Sequence, residues 1–215
     1  ILGKRHAGYT RQELAEKAKM IPNGGFKKML KALIGSDFLI KYVPFGSSNR
    51  EERYKLKDSF CWFWLHFKEN KNIKQEDYWQ HHLKESELTA WRGIAFEEVC
   101  LQHIRQIKQA LQIGGISSME SAYIVRGEKD TEGLQIDLII DRSDDVANLC
   151  EMKYSKAPYT ITSSYAIHLI QRKEAMEALF CDKTFLLTYI GSSPLAENEY
   201  TDTFPCQVTL DGLFL

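Results

Sequence analysis

The stretch at 134–155, LQIDLIIDRSDDVANLCEMKYS, decides how this chain is read. Two short apolar runs flank an acidic turn, RSDDVAN, and three charged side chains interrupt them: Asp137, Glu151 and Lys153. Taking a charge out of water costs several kcal/mol unless a partner offsets it. Side chains alternate across a strand, so Glu151 and Lys153 share one face while Cys150, Met152 and Tyr154 share the other. If the two runs pair through the turn, Asp137 falls beside the first pair on the same face. Two carboxylates and a lysine then converge at one end of an apolar sheet, and a divalent metal ion is the partner they call for. The competing reading is ordinary surface ion pairs, each contributing under about 1 kcal/mol.

Working outward, the order is helix (93–111), strand (121–126), strand (134–141), strand (148–154), helix (163–180), strand (184–190) and a last strand near 206–210. This αβββαβ order predicts a mixed sheet flanked by helices. In the first helix, Phe96, Val99, Cys100, His103, Ile104, Ile107 and Leu111 form one apolar stripe at helical spacing. Glu97 lies at the edge of that stripe and can lean toward the sheet, whereas Glu98 lies on the far side.

The N-terminal part reads differently. Thr10 followed by Glu13 is a capping-box signature that starts a short helix. After the turn IPNGG, a second helix carries Phe26, Met29, Leu30, Leu33 and Ile34 at helical spacing until Gly35. Phe38, Ile40 and Tyr42 alternate into a strand, and Tyr54 and Leu56 bring the chain back as a hairpin. Residues 59–92 open with a dense aromatic helix and read as a connector. Its adjacent His81 and His82 point in different directions, which is unsuited to a metal pair.

Composition sets the outer limits. The 215 residues are 44% hydrophobic and 12% aromatic, enough for a buried core. No run reaches the roughly 18 to 20 apolar residues of a membrane span, and no signal-peptide pattern opens the chain, so a cytoplasmic location is expected. Five scattered cysteines without a C-x-x-C pair argue against a disulfide framework or a zinc knuckle. Residues 1–58 carry 13 Lys/Arg against 6 Asp/Glu, net +7, and residues 59–215 carry 15 against 23, net −8. That asymmetry predicts a basic, nucleic-acid-facing module joined to an acidic one.

These motifs carry a resemblance. G-x-x-F-E at 93–97, I-D at 136–137 and C-E-M-K at 150–153, in an αβββαβ setting, resemble the PD-(D/E)xK nuclease superfamily, whose fold is restriction-endonuclease-like. The resemblance covers 93 to about 190, with Ile136 where the family pattern has proline. It implies that Asp137 and Glu151 bind Mg²⁺ or Mn²⁺, that Lys153 is the catalytic lysine, and that Glu97 supports the metal from the helix. It also implies an auxiliary polar residue on the following helix, at Gln171 or Lys173. Magnesium takes hard oxygen ligands and keeps several waters, so two or three carboxylates suffice. Such an ion supplies an activated water and polarises a phosphoryl oxygen, and Lys153 would orient that water or stabilise developing phosphate charge.

Residues 1–58 resemble winged-helix DNA-binding domains, with Lys27, Lys28 and Lys31 on the recognition helix and Arg50 and Arg53 on the wing. Lysines so placed meet phosphates, which position a protein without reading sequence. The combination resembles the C-terminal half of a family of archaeal and bacterial AAA-type ATPases. No G-x-x-x-x-G-K-[ST] motif is present, so ATP is not bound by that means, and the start at Ile1 fits a parent chain whose P-loop ATPase domain comes first. The expected architecture is α+β in two domains: a winged helix (1–58), a helical connector (59–92) and a nuclease-like domain (93–215). The expected function is a metal-dependent, DNA-binding phosphodiesterase. The alternatives are a non-catalytic DNA- or protein-binding regulatory module of that ATPase, with the nuclease-like fold as scaffold, and a transcription regulator using the winged helix alone.

Overall fold

A helix start leaves amides without backbone partners, and the first helix shows how side chains satisfy them here. In a computed structural model that describes residues 1–4, 7–47, 51–67, 86–125 and 133–214, helix α1 (Arg11–Ala18) starts at Thr10. The Thr10 hydroxyl accepts from the Glu13 amide at 3.2 Å, and the Glu13 carboxylate accepts from the Thr10 amide at 2.8 Å. The capping box expected from sequence is therefore formed, and it satisfies two amides that a helix start leaves unpaired. Helix α2 (Gly24–Gly35) is capped by Asn23, whose side chain accepts from the Phe26 amide at 3.1 Å. Gly35 is its last residue, and the left-handed exit is made two residues later by Asp37, with φ +60°.

The chain divides into two compact units, Ile1–Ala95 and Phe96–Leu215. In the first, strands β1 (Tyr9–Thr10), β2 (Leu39–Tyr42) and β3 (Arg53–Leu56) form an antiparallel sheet in the order β1-β3-β2. Leu14, Phe26, Leu30, Leu39, Tyr54 and Leu56 are buried together in its core. Helix α3 (Ser59–Phe67) adds Trp62 to that core, so the aromatic helix at the start of the expected connector packs within this unit. Residues 68–85 of that segment, His81 and His82 among them, lie outside the described residues.

The second unit is built on a five-stranded mixed sheet in sequence order: β4 (Ser118–Val125), β5 (Leu134–Arg142), β6 (Val146–Lys153), β7 (Thr184–Gly191) and β8 (Cys206–Thr209). The first two pairings are antiparallel and the last two parallel. A parallel pairing needs a long crossover, which helix α6 (Ser163–Leu179) supplies between β6 and β7. Sequence reading predicts one helix over 93–111; the structure has α4 (Ser86–Gln102) and α5 (Ile104–Ala110), interrupted at His103. There the imidazole Nδ1 donates to the Val99 carbonyl at 2.7 Å, serving an oxygen that an unbroken helix would pair through the backbone.

The two faces of this sheet have separate cores. Leu138, Ile140, Cys150, Met152 and Ile190 pack with Phe96, Cys100 and Ile107. On the other face, Ile139, Leu149, Phe185 and Tyr189 are buried, and Ala166, Leu169 and Met176 are the buried positions of α6. Glu98 is also buried, at 6% exposure. Among the described residues no helix is long and apolar enough to cross a membrane.

Candidate functional site

Register brings the two strand acids together. β5 and β6 pair with Leu138 opposite Cys150 and Ile139 opposite Leu149. Carried one residue outward, that register sets Asp137 across from Glu151, and directly opposed side chains on an antiparallel pair share a face with Cβ atoms about 5 Å apart. Lys153 follows two residues after Glu151 on the same face. All three stand at the end of the sheet where the apolar runs stop, on the side that faces α6.

Glu151 is the centre of this group, with its side chain 18% exposed. One of its oxygens, Oε1, accepts from the Lys153 ammonium at 2.7 Å and from the Tyr165 hydroxyl in a short hydrogen bond. The other, Oε2, accepts from the Arg172 guanidinium at 3.2 Å. Asp137 Oδ1 accepts from the Gln135 side-chain amide at 2.7 Å, and its other oxygen takes no partner among the described residues. Glu97 is partly buried on α4, and its charge reaches Lys153.

The electrostatics follow from this packing. Burial alone would lower the Lys153 ammonium, but the charge and hydrogen bond of Glu151, with help from Tyr159 and Glu97, outweigh it and hold its pKa above the usual 10.5. Burial, and then the charge and hydrogen bond of Glu151, push the Tyr165 phenol well up, so Tyr165 is a donor at any neutral pH. The Lys153 ammonium also stands over the Tyr165 ring, 5.2 Å from its centroid. Behind them Tyr159 stacks on Tyr189 at 6.2 Å, and the Tyr189 hydroxyl donates to the Ser193 carbonyl at 2.9 Å. Gly191 makes this possible: a Cβ there would lie 2.2 Å from the Tyr189 hydroxyl oxygen.

On α6 the contacts to Glu151 come from residues that the sequence reading did not select. Gln171 is exposed and Lys173 pairs with Glu177 at 2.6 Å. Arg172 between them, joined by Tyr165, is the α6 side chain that reaches Glu151. The signal was present: Tyr165, Leu169, Arg172 and Met176 lie at i, i+4, i+7 and i+11, one stripe of a helix. Among the described residues no three His, Cys, Asp or Glu side chains are gathered to hold a metal.

The strand acids Asp137 and Glu151 offer two carboxylates on neighbouring strands. That suits Mg²⁺ or Mn²⁺, which is commonly held by one or two carboxylates with waters completing the octahedron. Glu151 would have to give up at least one of its present donors to serve.

In the first unit Lys27, Lys28 and Lys31 are exposed on α2. Arg53 is only 14% exposed and its guanidinium turns to Glu13 at 3.9 Å, so it is not displayed on a wing. Arg50 lies outside the described residues.

No family model matches the chain, and no curated protein matches it. Among solved structures, one described as a protein of unknown function, AF1548, is similar at 18% identity with a TM-score of 0.34. The match covers 46% of this chain and 50% of that one, so this chain spans about half the length of the structure it resembles.

Proposed function

We propose that the second unit is a divalent-metal-dependent phosphodiester hydrolase of the PD-(D/E)xK type, and that the first is a winged-helix module that holds DNA for it. The observation that carries this reading is the placement of Asp137 opposite Glu151 with Lys153 on the same face. A mixed sheet with a helix on each face, the strand order β4-β5-β6-β7-β8 and the α6 crossover support the restriction-endonuclease-like assignment. Two helices followed by a hairpin, with exposed lysines on the second helix, support the winged-helix assignment.

When bound, Mg²⁺ or Mn²⁺ would supply an activated water and polarise the phosphoryl oxygen. Asp137 and Glu151, on neighbouring strands, are the residues that would hold it. Lys153, kept protonated by its surroundings, donates to the charge that develops on the phosphate. Tyr165 and Arg172 fix the Glu151 carboxylate from α6. Glu97 adds negative charge behind Lys153 and supports it indirectly.

One observation favours the scaffold reading: both Glu151 oxygens already accept from protein donors, as they would in a purely structural ion-pair network. Incubation with Mn²⁺ and plasmid, linear duplex or single-stranded DNA separates the two. A hydrolase nicks or degrades at least one substrate and loses the activity in Asp137→Ala and Glu151→Gln; a scaffold leaves all three intact.

A further inference from the structure

We propose that Lys153 and Arg172 form a two-cation cradle for the phosphodiester of the substrate, and that Glu151 fills this cradle itself until its carboxylate is drawn into ligating a divalent ion. The proposal rests on the metal-dependent reading above.

The cradle is defined by what holds Glu151. Lys153 donates to one carboxylate oxygen at 2.7 Å and Arg172 to the other at 3.2 Å. A phosphodiester presents two anionic oxygens much as a carboxylate does, and guanidinium groups pair with either. The two cations are also placed to stay where they are. Lys153 is pinned over the Tyr165 ring, and Arg172 leaves α6 between the buried Leu169 and Met176. Their side chains are 32% and 26% exposed, so a ligand can reach them from solvent.

With Glu151 in place, an incoming phosphodiester competes with an internal anion for both donors. Once Glu151 and Asp137 share a cation, Glu151 no longer neutralises Lys153 and Arg172, and the cradle is open to the substrate. Coupling of this kind is reciprocal, so metal and phosphodiester must strengthen each other's binding by the same factor.

Calorimetry on the full chain tests this with a thymidine dinucleotide, which carries one phosphodiester, and with its uncharged methylphosphonate analogue. The dinucleotide is expected to bind the wild-type protein at least tenfold more tightly in saturating Mn²⁺ than without metal, and the methylphosphonate to gain nothing. Glu151→Gln should bind the dinucleotide without metal at least tenfold more tightly than wild type, because the competing charge is gone. Arg172→Gln should abolish the gain, and Arg172→Lys should restore part of it. Dinucleotide affinity indifferent to Mn²⁺ in a wild-type protein that binds Mn²⁺ would overturn the cradle and leave the metal reading standing. A wild type that binds no Mn²⁺, together with a Glu151→Gln variant that gains dinucleotide affinity, would overturn the metal reading and support the cradle. No gain in either would overturn the cradle outright.

Discussion

At the scale of single residues, tyrosines surround the site. Tyr165 and Tyr189 have phenols held above their usual value of 10.0, that of Tyr189 pushed up to about 12, chiefly by burial. The fold favours the neutral phenol, so this contribution to stability is complete below pH 10 and is lost as pH climbs from there through the folded values. Phenolate absorbance during an alkaline titration should show a group of tyrosines that ionise only above pH 10 or on unfolding; simple titration of every tyrosine near pH 10 would contradict it. Gly191 is the second test. A methyl group on it meets a fully buried ring, which cannot swing aside, so Gly191→Ala should cost about 1–3 kcal/mol in denaturant unfolding. Such single-residue facts are hard to read from sequence. Glu151, Lys153 and Asp137 announced themselves as charges within apolar runs, but Gly191 looks like any strand-end glycine until the Tyr189 ring is seen lying over it.

At the scale of elements, local rules carried far. Thr10 and Glu13 predicted a reciprocal cap, and both bonds are made. Thr10→Ala should therefore cost about 1 kcal/mol of unfolding free energy, measured by denaturant titration, and a variant as stable as wild type would show that the cap contributes nothing. The strands around the acidic turn fall at 134–142 and 146–153, within two residues of the alternation-based reading. What local rules missed depends on tertiary placement. The break at His103 has no glycine or proline to mark it and is held by a side-chain bond to Val99. The phase of α6 is set by which residues meet the sheet, and that decided Arg172 over its neighbours. For α2, if Lys27, Lys28 and Lys31 meet DNA phosphates, replacing all three with Gln should flatten the dependence of log affinity on log salt by roughly 0.9 per lost phosphate contact. Binding measured at several salt concentrations checks this; an unchanged slope would remove α2 from the interface.

At the scale of the whole molecule, the charge asymmetry of the sequence maps onto two compact units, a smaller one with the exposed lysines and a larger one with the paired acids. A mixed α+β architecture was legible from patterning alone, because burial of one strand or helix face leaves a period in the sequence. The convergence of Lys153, Tyr165 and Arg172 on Glu151 was only partly legible, since it depends on how a helix is laid across the strands. The most direct measurement is a calorimetric titration of Mn²⁺ into the protein and into its Asp137→Ala and Glu151→Gln variants. One binding site in the wild type, lost in both variants while their folded spectra persist, is the predicted result; no Mn²⁺ binding, or binding untouched by either substitution, would contradict it.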